Sequence, residues 1–425
     1  MKILIIGNGG REHAITWKVR KDDLSAELFC APGNAGTAAL ATNLNLAADD
    51  IVGITNWAAT NKPDLTIVGP EVPLCLGLVD ELEKIGLRAF GPSKAAAQME
   101  GSKQFAKEVM IAAQVPTARC TIVRTEAEAR EAVASFGIPV VLKADGLAAG
   151  KGVSVCMNQE EVDIAIKTIL VDQAFGDAAS GVLIEEYLDG EEASILAFVD
   201  GDHVIPLASA QDHKRLLNDD RGPNTGGMGS YSPAPCVTKD MLAVVHGQVF
   251  KPVIAELKRR GIVYKGILYA GLMLTKNGPR VLEFNCRFGD PETQSILPRL
   301  ETSLVAAMQA CIDGTLDHCE IRWTKSACVC VVMVAGGYPG HYEKGTPIDG
   351  LSDAAKIDGV QVFHAGTKLL NDTVVTAGGR VLGVTALGTS LEETVSRAYH
   401  AVLKIKFEGA GYRTDIAYRA LKVKE

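Results

Sequence analysis

Lys2-Ile3-Leu4-Ile5-Ile6-Gly7 is a run of β-branched residues and Leu, and it predicts a buried strand that ends on a glycine turn. A helical stretch holding Ala14, Trp17 and Val19 follows. Leu28–Ala31, Leu65–Val68 and Leu87–Phe90 read as further strands, with a helix around Leu76–Lys84. Strands alternating with helices predict a doubly wound parallel sheet, an α/β unit closed by Gly91-Pro92-Ser93. An Ala-rich helix is expected from Lys94 to Gln114.

Past Pro116 the pattern turns to α+β. Short strands at Pro139–Ala144, Gly152–Met157 and Val182–Glu186 surround a helix at Gln159–Leu170, as in a small lid carried on a larger body. The body holds a hairpin, Tyr269–Leu274 with Arg280–Asn285, closed by Lys276-Asn277-Gly278-Pro279. The last unit has one clear helix, with apolar positions at Leu391, Val395, Ala398, Tyr399, Val402 and Ile405. Ser390 and Glu393 give it a capping box. The expected units are residues 1–102, a body of 103–122 with 193–325, a lid of 123–192, and a small α+β domain of 326–425.

Length agrees with this division, since 425 residues allow two to four domains at roughly 100–200 residues each. Hydrophobic residues make up 47% and charged residues 22%, which argues against disorder. The net charge is −8 and no Lys/Arg block stands out, so neither nucleic acid nor an anionic membrane is an expected partner. Any phosphate must be held by a local site. The first apolar run is too short for a signal peptide, and Ala327 to Ala335 falls short of the ~20 residues that span a bilayer. Ten scattered cysteines with no Cys-x-x-Cys read as reduced thiols, and the protein is expected in the cytoplasm.

Gly7-Asn8-Gly9-Gly10-Arg11-Glu12 sits where a dinucleotide fingerprint would. Glu12 replaces the third glycine, and the ribose-binding acid about 20 residues on is missing. The second strand ends in Pro32-Gly33-Asn34 instead. These turns suit a phosphate or phosphosugar, with a purely structural turn as the other reading. A second glycine turn runs from Lys143 through Gly146, Gly150, Lys151 and Gly152. It is one residue short of a Walker A loop, and Gly152 takes the Ser/Thr position, which leaves a flap suited to cover a triphosphate.

Along Val281-Leu282-Glu283-Phe284-Asn285-Cys286-Arg287, alternation puts Leu282, Phe284 and Cys286 on a core face. Glu283, Asn285 and Arg287 share the other. Two oxygen donors two residues apart suit Mg²⁺ that also touches phosphate, and Arg287 can stabilise a transferring phosphoryl group. Glu185 to Glu192 offers backbone groups near Leu188 to an adenine and a glutamate to a ribose, or else is a solvated acidic face. The polar stretches Gln211–Arg215 and Asn224–Gly229 have the length of functional loops.

These motifs, in this order, resemble the phosphoribosylamine–glycine ligase family of ATP-grasp enzymes. The resemblance rests on Gly7–Ala14, Pro32–Thr37, Gly91–Lys103, Leu142–Val153, Gln211–Arg215, Gly222–Pro235 and above all Arg287-Phe288-Gly289-Asp290-Pro291-Glu292-Thr293-Gln294. It implies ATP, with Mg²⁺ or Mn²⁺, between a mobile lid and an ATP-grasp body. Lys103 and Lys143 would meet phosphates, Gly146–Gly152 would be the flap, Glu186 and Leu188 would meet adenine, and Glu192 the ribose. Glu283 and Asn285 match the family's metal ligands. The implied reaction joins glycine to 5-phosphoribosylamine through glycyl phosphate, a step of purine biosynthesis, with Arg287, Lys143 and Asp212 as catalytic candidates. The phosphosugar is assigned to Gly9, Gly10, Arg11, Glu12, Pro32, Gly33 and Asn34, with Glu71. Glycine's carboxylate is placed near Arg287 and its amine near Asp212, with Gly289 and Asp290 as further substrate-binding candidates. A monomer, or at most a weak dimer, is expected. Another ATP-grasp carboxylate–amine ligase and a silent nucleotide sensor are the alternatives.

Overall fold

The computed structural model describes residues 1–147, 152–172 and 181–422. Its first unit is built on β1 (Lys2–Gly7), β2 (Glu27–Pro32), β3 (Thr42–Asn43), β4 (Leu65–Val68) and β5 (Ala89–Phe90), all parallel in the order β3-β2-β1-β4-β5. The doubly wound sheet expected from the alternating pattern is present. β1 lies where the strand order reverses, and the glycine turn that follows it opens at the carboxyl edge, the usual ligand crevice of such sheets. The expected helix around Leu76–Lys84 is two, Glu71–Leu76 and Leu78–Lys84, because Gly77 between them is left-handed at φ +92°.

The Ala-rich stretch also divides, into Gln98–Gly101 and Lys103–Ala112. Ser102 between them is extended and caps the second helix, its Oγ accepting from the Phe105 N–H at 3.1 Å. Beyond it, β6 (Cys120–Val123), β7 (Val140–Ala144), β8 (Val153–Cys156) and β9 (Val182–Glu186) form a small antiparallel sheet in the order β6-β9-β7-β8. Its apolar core runs only from Val123 to Ile184 and is separate from the others.

The body sheet begins with β10 (Glu191–Asp200) and β11 (Val204–Pro206). β12 (Gln211–Asp212), the hairpin β13 (Arg215–Leu217) and β14 (Arg221–Asn224), and β15 (Gly229–Ser232) come next. β16 (Lys265–Thr275) and β17 (Gly278–Asn285) then complete the body sheet, β11-β10-β16-β17. Their turn is only Lys276-Asn277, since Gly278 and Pro279 already pair with Thr275 and Leu274. In the last unit β18 (Ala327–Val334), β19 (Val360–His364) and β22 (Arg380–Gly388) extend β12 and β15 into one five-stranded sheet, with β20 (Thr367–Leu370) and β21 (Thr373–Thr376) paired alongside. The helix Leu391–Val402 lies where its apolar spacing put it, capped by Ser390, but the Glu393 carboxylate accepts from Thr389 N and Oγ.

Two cores run between the first unit and the body. One joins Leu4 and Ile6 to Ile195, Leu268 and Phe284; the other joins Ile3 and Ile5 to Phe198, Phe288 and Leu304. Phe90, Phe198 and Phe288 pack in a triangle with centroids 6.2–6.4 Å apart, largely edge to face. All ten cysteines are free thiols, six of them buried. Among the described residues no helix is long and apolar enough to cross a membrane. Replacing Phe198, which is fully buried at this seam, by Ala should destabilise the protein by about 3–5 kcal/mol. A lower urea midpoint in both the first unit and the body checks it, and an unchanged midpoint would refute the shared core.

Candidate active site

A cleft of about 590 Å³ opens between the small sheet and the body, and its rim takes in the first and last units. Lys103, Lys143, Gly146, Gly152, Glu186, Leu188, Glu192, Asp212, Glu283, Asn285 and Arg287 line it, as do Arg11, Glu71 and Asp290. Gly9, Gly10, Glu12, Pro32, Gly33, Asn34 and Gly289 are not in its described lining. Gly150 and Lys151 lie outside the described residues.

One wall is set by a β-bulge. Gly271 pairs with Glu283 and Leu272 with Val281, so Leu282 is an extra residue in β17. Leu282 is therefore half-buried in the cleft wall, not on the core face that strict alternation predicted. Its freed carbonyl accepts from Lys143 Nζ at 2.8 Å. Lys143 also meets Glu185 at 2.8 Å, and the other oxygen of Glu185 meets Lys107 at 2.8 Å. Lys103 begins its helix because Ser102 caps it, and its Nζ donates to Gly146 O at 2.8 Å. Burial pulls the Lys103 amine below the usual lysine value against the pull of Glu283. The helix start is further tied to the small sheet by Asp145, which accepts from Ser102 Oγ and Gln104 N.

Glu283 and Asn285 face the cleft two residues apart on β17. Burial opposes the Glu283 charge, yet Lys214, Lys143 and Lys103 outweigh it and hold the carboxyl below its ordinary range. Asn285 Oδ1 accepts from Arg287 Nη2 at 3.2 Å. Arg287 is itself held by Glu100 at 2.8 Å and Glu71 at 3.3 Å. Glu100 also accepts from the Cys286 N–H at 2.8 Å, and burial raises its carboxyl despite Arg287.

Asp212 stands opposite. Burial lifts its carboxyl to about 7, Lys214 opposing and Glu292 and Glu192 adding to the rise. Lys214 pairs with Glu192 at 3.0 Å and approaches Glu283 at 4.0 Å. Glu292 Oε1 accepts from Tyr269 OH at 2.6 Å and Ser194 Oγ at 3.2 Å. A Cβ on Gly289 would stand 2.4 Å from the other Glu292 oxygen, so this approach requires glycine.

At the glycine turn after β1, the protein's own carboxylate engages the backbone. Gly9 N donates to Glu12 Oε2 at 2.6 Å, and Arg11 Nε donates to Glu12 Oε1 at 2.5 Å. Cβ atoms at Gly7 or Gly69 would lie 2.5 Å or 2.2 Å from Glu12. Arg11 N reaches Asp290 Oδ2 at 3.2 Å, and Asp290 also meets Arg380 from β22 at 3.3 Å. Asn34 Nδ2 donates to Asn8 O and to His364 O, both at 2.8 Å.

Sequence reasoning placed Glu185 in the nucleotide motif but not as the partner of Lys143, and it missed Lys107, Glu100 and Arg380 as members of this site. Arg380 left no signal, because only the tertiary fold brings β22 to the cleft.

A small-sheet strand bearing the buried Lys143, beside a body strand with paired oxygen donors, is the arrangement of an ATP-grasp enzyme. Models of the phosphoribosylglycinamide synthetase family match the N domain at residues 1–100, the ATP-grasp (A) domain at 101–293 and the C domain at 328–419. The chain belongs to that family and is a ligase. It is 52% identical to a phosphoribosylamine–glycine ligase of Pseudomonas aeruginosa, across 99% of this chain and 98% of that protein. A crystal structure of phosphoribosylamine–glycine ligase from Thermotoga maritima superposes with a TM-score of 0.85 at 35% identity, covering 98% of this chain and all of that one. The biotin carboxylase domain of Hydrogenobacter thermophilus 2-oxoglutarate carboxylase shares the fold alone, at TM-score 0.72 and 17% identity over the whole of this chain and 98% of that one.

Asp212 gives a pH-dependent prediction. The folded chain keeps its proton up to about pH 7, whereas an unfolded aspartate loses it near 4. Across that window the folded state binds more protons, so stability falls as pH rises. Ligand-free Asp212→Asn should melt about 2–4 °C above wild type at pH 8 and close to it at pH 5. An equal difference at both values would contradict the raised carboxyl.

Proposed function

We propose that the chain joins glycine to 5-phosphoribosylamine through a glycyl phosphate intermediate, with cleavage of ATP to ADP and phosphate, a step of purine biosynthesis. The observation that carries this is the convergence of Lys103, Lys143, Glu283, Asn285 and Arg287 on one cleft that Asp212, Arg11 and Asp290 also line. The small sheet serves as lid and the flap as its phosphate cover, within units of 1–102, 103–122 with 193–325, 123–192 and 326–425.

A carboxylate is a poor electrophile, so glycine's oxygen first attacks the γ-phosphorus of ATP and ADP leaves. The amine of phosphoribosylamine then attacks the acyl carbon, loses a proton, and expels phosphate as the amide forms. Lys103, Lys143 and Arg287 hold positive charge along the phosphoryl path, acting by position and electrostatics. Lys143 is well placed because Glu185 and Leu282 O fix its ammonium before substrate arrives.

Glu283 and Asn285 fit a divalent ion such as Mg²⁺ or Mn²⁺, because Glu283 stays ionised and such ions take one or two protein oxygens beside substrate phosphates. Among the described residues no cluster of three or more acids, His or Cys offers a rival metal site. When bound, the ion would offset negative charge on the phosphates.

Glu186 and Leu188 would face adenine, with Glu192 at the ribose and Gly146 to Gly152 over the phosphates. Asp212 would receive glycine's ammonium and Arg287 its carboxylate, with Gly289 and Asp290 as further substrate-binding residues. The phosphosugar would lie against Arg11, Glu71 and Asp290, with Gly9, Gly10, Glu12, Pro32, Gly33 and Asn34 shaping the wall behind. The reading includes a cytoplasmic location, small molecules as partners, and a monomer or weak dimer.

ADP release with ATP and Mg²⁺ tests the proposal, comparing glycine alone, phosphoribosylamine alone, both, and alanine in place of glycine. Release that needs both substrates and yields amide is expected. No turnover with ATP still bound would make the chain a nucleotide sensor, and turnover with another acid would change the substrate. Arg287→Ala should lower kcat by about 100-fold or more while ATP affinity changes little; unchanged turnover would remove Arg287 from the chemistry.

A further inference from the structure

The loop that carries Asp212 and Lys214 is gripped by the C-terminal part of the chain, and Asp220 and Arg419 of that grip also line the cleft. Asp212 and Lys214 line the cleft, and His213 between them turns the other way, its side chain wholly buried. Its Nε2 accepts from the Ala417 backbone N–H at 3.0 Å. That bond requires an unprotonated Nε2, so Nδ1 bears the proton of the neutral ring. Nδ1 faces Asp220 Oδ1 at 3.8 Å, beyond hydrogen-bond range, and has no hydrogen-bond partner.

Asp220 is the second point of the grip. It accepts from Arg413 Nη1 at 2.9 Å, from Tyr418 OH at 2.5 Å and from Arg419 Nη2. Arg413, itself almost fully buried, also donates to Arg215 O at 3.1 Å and to Asp415 at 2.7 Å. Asn218 and Thr414 exchange two hydrogen bonds, of 2.6 and 3.1 Å.

Backbone strain gathers at the same place. Asp219, Asp220 and Ala417 are left-handed, at φ +57°, +52° and +70°. Asp tolerates that region; alanine has nothing to offset it, and such a residue persists where its surroundings over-determine it. Here the Ala417 N–H is committed to His213. Lys103 and Lys143 on the phosphate side are held by other elements, the helix Lys103–Ala112 and β7, and the loop reaches the nucleotide side through Lys214, which pairs with Glu192 at 3.0 Å.

We propose that residues 413–419 are a clasp that sets the cleft-facing side of the 212–226 loop, with His213 as the positioning residue that carries the constraint to Asp212 and Lys214. The inference rests on the reading of Asp212 as the glycine end of the site. His213 touches no substrate in this role; it fixes the backbone between Asp212, which meets glycine, and Lys214, which pairs with Glu192.

The test is steady-state kinetics of full-length His213→Leu and His213→Gln, with ATP affinity measured separately by equilibrium binding. Gln can offer Oε1 to the Ala417 N–H, and Leu cannot. His213→Leu should lose about 10- to 100-fold in kcat/KM for glycine while ATP affinity stays within about twofold, and His213→Gln should regain most of the loss. A leucine variant with wild-type kcat/KM, a parallel fall in ATP affinity, or a glutamine variant as impaired as leucine would overturn the clasp. If the leucine variant does not fold, Asp415→Asn, which loosens Arg413 and the Asp219 N–H from outside the cleft lining, should show the same split, and its absence counts equally against the proposal. Hydrogen exchange without substrates separates this inference from the functional reading. The amides of Thr225 and Met228, which bond Lys214 O and His213 O, should exchange about tenfold faster or more in His213→Leu than in the wild type. Unchanged exchange overturns the clasp whatever the substrate is.

Discussion

Glu185 lies buried between Lys107 of the helix Lys103–Ala112 and Lys143 of β7, 2.8 Å from each. Taking three charges out of water is expensive, and their attraction offsets that only where the remaining donors are also satisfied. Here they are engaged: Lys107 donates to Thr117 Oγ and Ala118 O, and Lys143 to Leu282 O. A trio of apolar residues could be as stable in the same space, but it would place no ammonium in the cleft. Because the small sheet has its own core, this polar chain, with Lys103 on Gly146 O and Asp145 on Ser102, determines how the sheet meets the body.

The rest of the molecule forms a firmer frame. The first unit and the body share two apolar cores, so neither can shift without opening one. The body and the last unit share a sheet, since β12 and β15 continue into β18 and β22. Asp212 sits on the first strand of that sheet, and Arg380 comes from β22 in the same sheet. The frame therefore carries the side of the cleft that Asp212 and Arg380 line, while the small sheet carries the side that Lys143 and Glu186 occupy.

Inside the frame, charges are arranged in advance. Glu12 supplies a negative charge at the start of the helix Gly10–Asp22, where the helix dipole favours one. Gly7, Gly9 and Gly69 leave room for that carboxylate. Arg287 is held between Glu71 and Glu100 rather than free in solvent. Groups fixed in this way need not reorganise as charge moves, which is where electrostatic catalysis gains most. A chain of net charge −8 thus keeps a local set of cations where anionic groups would be handled.

Local pattern determined much of this. The apolar run of β1 and the strand–helix alternation specify a doubly wound sheet, and the alternation of Glu283 with Asn285 puts two oxygen donors on one face, because side-chain period follows directly from backbone geometry. Ser390 specifies a helix start for the same reason, since a cap acts within one turn. The pattern could not show the break at Ser102, where the Asp145 carboxylate from the small sheet meets the new helix start, nor the bulge that turns Leu282 into the cleft wall. It could not show that Glu12 fills the glycine turn, that Glu100 and Glu71 embrace Arg287, or that Ala417 meets His213 across 204 positions of chain. Each of these depends on a partner distant in sequence. Periodicity reports only which way a side chain points, and the tertiary packing decides what it finds there.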